Sequence, residues 1–185
     1  MLLITLGITY LAGMLVGRSL IGGVAQSNLT VANLLGNFFK SRASQNLLQN
    51  CISSFLSAEL CLIILFLCGY CAIAAPLIYL TVFFRGLGPG LSLALLLSQT
   101  GWNGALAVLM MLPGIAGTAI IMILAGKVSL ELSAQLFSDS GASRVTVKGV
   151  SPKYCMQFLV FTVLMILVSF LDGLLFYLFG GLLPT

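Results

Sequence analysis

Apolar residues fill this chain in long runs, and polar residues gather in two places between them. The first run covers residues 2–22 and ends at Arg18 and Gly22-Gly23. It lacks the charged opening of a signal peptide and has about the length of a bilayer-crossing helix. Residues 24–50 are polar, with Asn28, Asn33, Lys40, Arg42, Gln45 and Asn50. Within them Val31, Leu34, Leu35 and Phe38 recur at helical spacing, which predicts a surface helix in that loop. The next apolar run, 52–98, is too long for one span and exceeds what tilt absorbs. A break near Gly69 to Pro76 divides it into spans at 52–70 and 74–98. The alternative is one merged span. A turn from Gln99 to Asn103 leads to a fourth span at 104–126, and a fifth is expected at 156–180. Residues 127–155 form the second polar loop, where Val128, Leu130, Leu132, Leu136 and Phe137 predict a short interfacial helix.

The pattern predicts a single membrane domain over residues 1–185. Its fold class is all-α: a polytopic integral membrane protein of about five transmembrane helices, one or more of them broken by Gly or Pro. Composition agrees. The chain is 60% hydrophobic and only 6% charged, against about 25% charged in ordinary soluble domains. A net charge of +4 without a basic stripe gives no nucleic-acid surface.

Five spans put the two polar loops on opposite sides of the membrane. Side A is the side of loop 24–50, and side B that of loop 127–155. The second loop carries Lys127, Arg144, Lys148 and Lys153, the first only Lys40 and Arg42, with Arg18 at its border. The positive-inside rule therefore places 127–155 and the N-terminus in the cytoplasm and the C-terminus outside.

A charge at mid-bilayer costs about 2.5–3.5 kcal/mol on insertion scales, so each one has a reason. Glu59, Arg85 and Asp172 lie inside spans, and Arg18 lies near the end of the first. At about 1.5 Å per residue, Glu59 sits roughly 10 Å from side A, Asp172 roughly 12 Å and Arg85 roughly 20 Å. The Arg85 side chain can reach several ångströms back toward side A, which brings all four charges into the same half of the membrane and predicts an ion-paired cluster of Arg85 with Glu59 or Asp172. Such a cluster either pins helix packing or marks an ion path.

Gly13-x3-Gly17 and Gly86-x3-Gly90 are spaced for close helix crossing, within the chain or against a partner. Pro76, Pro89 and Pro113 are each expected to kink or break a span, Pro89 above all because it lies between Gly88 and Gly90. Trp102 sits in the turn between spans, where its ring would anchor at headgroup level. With Gln99, Gly101, Asn103 and Gly104 it could equally form a docking edge.

Enzymatic readings find little. Cys68-Gly69-Tyr70-Cys71 is a CxxC pair without an activating His or Lys nearby, and five irregularly spaced Cys do not make a disulfide framework. The stretch around Ser92 has no His to activate it. No metal-ligand constellation is present and no cofactor is implied.

One segment carries a family resemblance. Gly69 through Ala75-Pro76-Leu77, Phe84-Arg85-Gly86, Gly90-Leu91-Ser92, Gln99-Thr100-Gly101-Trp102-Asn103-Gly104 and Leu112-Pro113 occur in order. This order resembles stage II sporulation protein M, a polytopic membrane protein family of endospore-forming bacteria. Asp172 matches an acid that the family carries near the end of its last helix. The chain departs from the family pattern at Pro89 and at Gly114-Ile115, which bears on helix geometry. The resemblance covers about a third of the chain, and the Gln-x-Gly-Trp-x-Gly turn is its specific part.

The resemblance implies a non-enzymatic scaffold in the bacterial inner membrane or septum. Such a scaffold recruits stage II sporulation proteins D and P, which cut peptidoglycan during engulfment of the forespore. The competing expectation is a small permease or transporter-like subunit, suggested by charged residues and Gly/Pro breaks within spans.

Overall fold

The computed structural model describes residues 1–24, 47–71, 73–99, 101–140 and 152–179. Five helices account for nearly all of them: α1 (Leu2–Val24), α2 (Leu47–Gly69), α3 (Ala75–Gln99), α4 (Gly101–Ser140) and α5 (Pro152–Phe179). Leu2–Ser19, Ala75–Ala94, Met111–Leu136 and Pro152–Leu174 are long and apolar enough to cross a membrane, and α2 contributes a shorter apolar stretch, Phe55–Gly69. Helices are what such sequences must form, because lipid offers no partner to an open backbone N–H or C=O. The protein is an all-α polytopic membrane protein. Only 22–28% of each long span is buried inside the protein, so Leu, Ile, Val and Phe side chains form an apolar outer surface suited to lipid.

Hydroxyl side chains within the spans turn back onto their own helices. Thr81 Oγ1 donates to the Leu77 carbonyl at 2.8 Å, Ser92 Oγ to Gly88 at 3.0 Å and Thr118 Oγ1 to Ile115 at 3.0 Å. This satisfies the hydroxyls without a neighbouring helix.

The helices alternate in direction. Gly13 and Gly17 of α1 meet Phe83, Gly86, Leu87 and Gly90 of α3 in the same chain sense, so these two helices run parallel. Gly114 and Gly117 of α4 meet Asp172 and Val168 of α5 in opposite sense, so that pair is antiparallel. α4 is central and packs on all four other helices. Leu6, Ile78, Val82, Met122 and Ala125 fill the α1–α3–α4 side of the core, and Leu62, Leu65, Phe158 and Met165 the α2–α5 side.

The two glycine pairs singled out in the sequence pack against each other. A β-carbon on Gly86 or Gly90 would collide with the carbonyl of Tyr10 or Met14, and one on Gly17 would lie 2.6 Å from the Leu87 carbonyl oxygen. The absent side chains let two backbones approach as small residues do in membrane helix crossings. The contact is intramolecular.

The break inside 52–98 falls between α2 and α3, which rules out a merged span. It is closed by short-range bonds: Tyr70 N–H to Leu67, Cys71 N–H to Cys68 and Ala74 N–H to Cys71, at 3.1–3.2 Å. The Ile78 N–H then reaches the Ala74 carbonyl at 3.0 Å to start α3. Pro76 thus stands in the first turn, where its missing N–H costs nothing. It opens a helix and breaks none.

Two expectations need correction. α3 continues through Pro89 and α4 through Pro113 without interruption. Each proline leaves one carbonyl a turn earlier without its helical partner, and the helix runs on past it, so the expected break is absent. Second, α4 does not end near Gly126 but runs to Ser140. No Gly or Pro lies between Lys127 and Ser140, and Lys127 Nζ pairs with Glu131 Oε1 at 3.4 Å one turn on. Polarity there does not mark the end of the helix: the apolar stretch itself runs to Leu136. The predicted surface helix in 24–50 and residues 141–151 lie outside the described residues.

Candidate functional site

The four residues expected to form one ionic cluster divide into three environments. Arg85 and Asp172 line a common cavity of about 250 Å³. Glu59 bonds elsewhere: its Oε1 accepts a hydrogen bond from Thr162 Oγ1 on α5 at 2.9 Å. Arg18 is exposed near the end of α1.

Four helices build the cavity. α2 supplies Ser53 and Ser57, one turn apart on one face. α3 supplies Arg85, Gly88, Pro89 and Ser92. α4 adds Gly114 and Thr118, and α5 adds Ser169 and Asp172. Gly114 has a specific task here, because a β-carbon at that position would strike the Asp172 carboxylate. The glycine at this position therefore makes room for the acid.

Arg85 is half-buried, and its Nε is enclosed without a hydrogen-bond partner. The neighbouring Tyr10 hydroxyl and Glu59 Oε2 are likewise buried without one. An unsatisfied buried polar atom costs about 1–3 kcal/mol, and more on a charged group. Arg85 thus lines the cavity as a residue while its Nε stays sealed in the packing.

A second polar focus ties the bundle together near side B. Ser129 Oγ of α4 donates within 2.9–3.0 Å of both the Leu65 and Ala125 carbonyls and lies 3.4 Å from the Tyr154 hydroxyl. Tyr154 OH donates to the Phe66 carbonyl at 3.0 Å, and Ser133 Oγ donates to the Cys71 carbonyl at 2.8 Å. Of these acceptors, the Phe66 carbonyl lies in the last turn of α2 and the Cys71 carbonyl beyond it, where helical partners run out. Phe66, Tyr70, Tyr154 and Phe158 surround the focus, with ring centroids 4.8–5.4 Å apart. Sequence reading passed over Ser129, Ser133, Tyr154 and Thr162. The signal available was hydroxyls one turn apart at 129 and 133 within an otherwise apolar face.

The CxxC pair is split by its surroundings: Cys68 is buried, Cys71 is exposed, and neither is in a disulfide. The Tyr70 hydroxyl lies 3.6 Å from Cys155 Sγ. Among the described residues no group of His, Cys, Asp and Glu is placed to hold a metal ion. For the Gln99 to Gly104 turn, α3 ends at Gln99 and α4 begins at Gly101. The side chains of Gln99, Trp102 and Asn103 lie outside the described residues, as does Thr100.

The glycines, Arg85 and Asp172 are thus joints and cavity walls of one helical bundle. Compared with known families and proteins, the chain matches no family model, no curated protein and no solved structure.

Proposed function

We propose that this chain is a non-catalytic membrane scaffold that holds peptidoglycan hydrolases at the septal membrane, as stage II sporulation protein M does with proteins D and P. One observation carries the reading: the residues of the resemblance, scattered from Arg85 to Asp172, converge in space. Gly86 and Gly90 form the α1–α3 seam, while Arg85 and Asp172 line the cavity. They act as fixed joints that give a rigid platform to the α3–α4 connection. Ser92 has its hydroxyl committed to its own helix, which fits a supporting part.

The test is affinity recovery of the tagged chain from membranes of engulfing cells. Peptidoglycan hydrolases should copurify, and Trp102→Ala or Gly104→Leu should reduce their recovery without lowering the amount of the chain. Wild-type chain that recovers no hydrolase would end the scaffold reading.

The cavity favours a second reading, a small permease or transporter-like subunit, because a charged cavity among membrane helices is how transporters hold solutes. Under it, Arg85→Gln abolishes solute flux in reconstituted vesicles while the chain stays folded. Unchanged flux would remove it.

A further inference from the structure

Ser169 is out of step with other hydroxyls of the spans. Thr81, Ser92 and Thr118 each spend their proton on a carbonyl of their own helix, the usual resort of a hydroxyl in lipid. Ser169 is 5% exposed and, among the described residues, has no hydrogen-bond partner. A buried hydroxyl left unpaired is costly. Ser169 lines the cavity, so the cavity is where a partner can reach it.

The charges in the wall do not select that partner. Asp172 already has one of its own, and Arg85 Nε is sealed in the packing. What the cavity offers is hydroxyls. Ser169 can donate and accept, whereas Ser92 and Thr118, their protons spent, can only accept. An ionic ligand would shed its hydration here with no free counter-charge to meet it. A neutral group carrying its own hydroxyl loses far less, because it can donate to the spent oxygens and accept from Ser169.

The mouth points to lipid. The exposed members of the lining are Ser53 and Ser57 of α2 and Gly88 of α3. The cavity therefore opens between α2 and α3, which touch only sparingly. The apolar stretch of α2 begins at Phe55, so Ser53 stands just outside it and Ser57 just inside. That places the opening at the edge of the hydrocarbon on side A, where the interfacial groups of a lipid begin. Leu56, Leu60 and Phe84 beside it are largely exposed and give acyl chains an apolar surface. The volume of about 250 Å³ equals roughly eight waters at about 30 Å³ each. That holds a glycerol group and leaves acyl chains outside.

We infer that the cavity binds the glycerol hydroxyl of diacylglycerol, an uncharged lipid that enters between α2 and α3 with its acyl chains outside. Free glycerol shares the recognised chemistry, and the competition below separates the two sources. The scaffold reading does not enter this inference.

The experiment reconstitutes the full chain in phosphatidylcholine vesicles holding a few mole per cent of a diacylglycerol with a photoreactive diazirine in one acyl chain. Light attaches the lipid, and peptide mapping locates it. Attachment should be saturable and concentrated on residues 52–60 and 84–88, the rim of the mouth. Unlabelled diacylglycerol should compete about tenfold better than the same lipid with its hydroxyl acetylated, the scale of one hydrogen bond. It should also outcompete phosphatidic acid, which brings a charge. Ser169→Ala removes only the unpaired hydroxyl and should weaken attachment several-fold while melting like the wild type. Gly88→Leu should block the mouth, since a β-carbon there meets no protein atom within 4 Å and displaces no packed neighbour. Attachment that does not saturate, or equal competition by the acetylated lipid, overturns the inference. So does undiminished attachment in both variants. Free glycerol competing as well as diacylglycerol would assign the cavity to a water-borne polyol and overturn the lipid. If a variant fails to fold, the wild-type competition decides alone.

Discussion

Gly13 and Gly86 face each other across the α1–α3 seam so closely that neither has room for a β-carbon. One built on Gly13 would lie 3.2 Å from the Phe83 carbonyl carbon and 3.3 Å from the Gly86 Cα, and one on Gly86 would meet the Tyr10 carbonyl. These obstacles are backbone atoms, which do not yield as a flexible side chain would. Gly13→Ala and Gly86→Ala should each lower stability by about 1–3 kcal/mol, the range for overpacking a tight site. Gly7→Ala is the control, since nothing lies within 4 Å of its β-carbon position. It should be neutral, or stabilising by up to about 1 kcal/mol through the entropy glycine loses on folding. Thermal melting in detergent checks both, and equal effects at positions 7 and 13 would contradict the seam.

Glu59 depends on Thr162 for the partner of its Oε1, while its Oε2 is buried without one. Thr162→Val should cost about 1–3 kcal/mol, because it leaves a buried carboxyl still poorer in partners. Glu59→Gln keeps an oxygen acceptor and should be tolerated better. A double-mutant cycle of the two, read by denaturant titration, should give a coupling of about 0.6–1.7 kcal/mol, the range seen for hydrogen bonds between membrane helices. Zero coupling would mean that the two residues do not act as a pair.

At the α2 terminus, a β-carbon on Gly69 would run into the Tyr154 hydroxyl and approach its Cζ at 2.8 Å. The same hydroxyl holds the Phe66 carbonyl. Gly69→Ala should therefore destabilise, and Tyr154→Phe alone should cost about 1 kcal/mol through the lost hydrogen bond. Combined, the two should cost less than their sum, because removing the hydroxyl removes part of the clash. Strict additivity in melting experiments would argue against this contact.

How much of this could be read from the sequence differs by level. The helix order, the break near Gly69 to Pro76 and the small-residue spacing at Gly13, Gly17, Gly86 and Gly90 were legible, because they are local patterns set by lipid and by helix pitch. The length of α4 was not, because Lys127 and Glu131 look like the start of a loop until their pairing along the helix is seen. Pro89 carried a strong local signal for a break, yet α3 runs on through it. Depth along each helix placed Arg85, Glu59 and Asp172 in one half of the membrane but carried no information on rotation about the axis. Rotation is what turns Glu59 to Thr162 and Arg85 to the cavity. The cavity itself comes from four helices, and no single segment shows it.

Sidedness gives the last prediction. Cys71 sits in the α2–α3 connection, exposed, with its carbonyl bonded to Ser133 of α4. Cys155 is exposed at the start of α5, against Tyr70. Alternating helix directions therefore put both thiols on side B, the side on which α4 leaves the bundle toward residues 141–151. The excess of Lys127, Arg144, Lys148 and Lys153 there predicts that this side is cytoplasmic. In a variant that keeps Cys71 alone, a membrane-impermeant maleimide should label inverted vesicles and spare right-side-out ones, and a Cys155-only variant should behave the same way. A Cys68-only variant should react slowly from either side, because that thiol is buried. Labelling of Cys71 and Cys155 from opposite sides would contradict the bundle itself, since both lie at one end of it. Labelling of both from outside would preserve the bundle and invert its orientation, showing that four basic residues do not decide the topology of this chain.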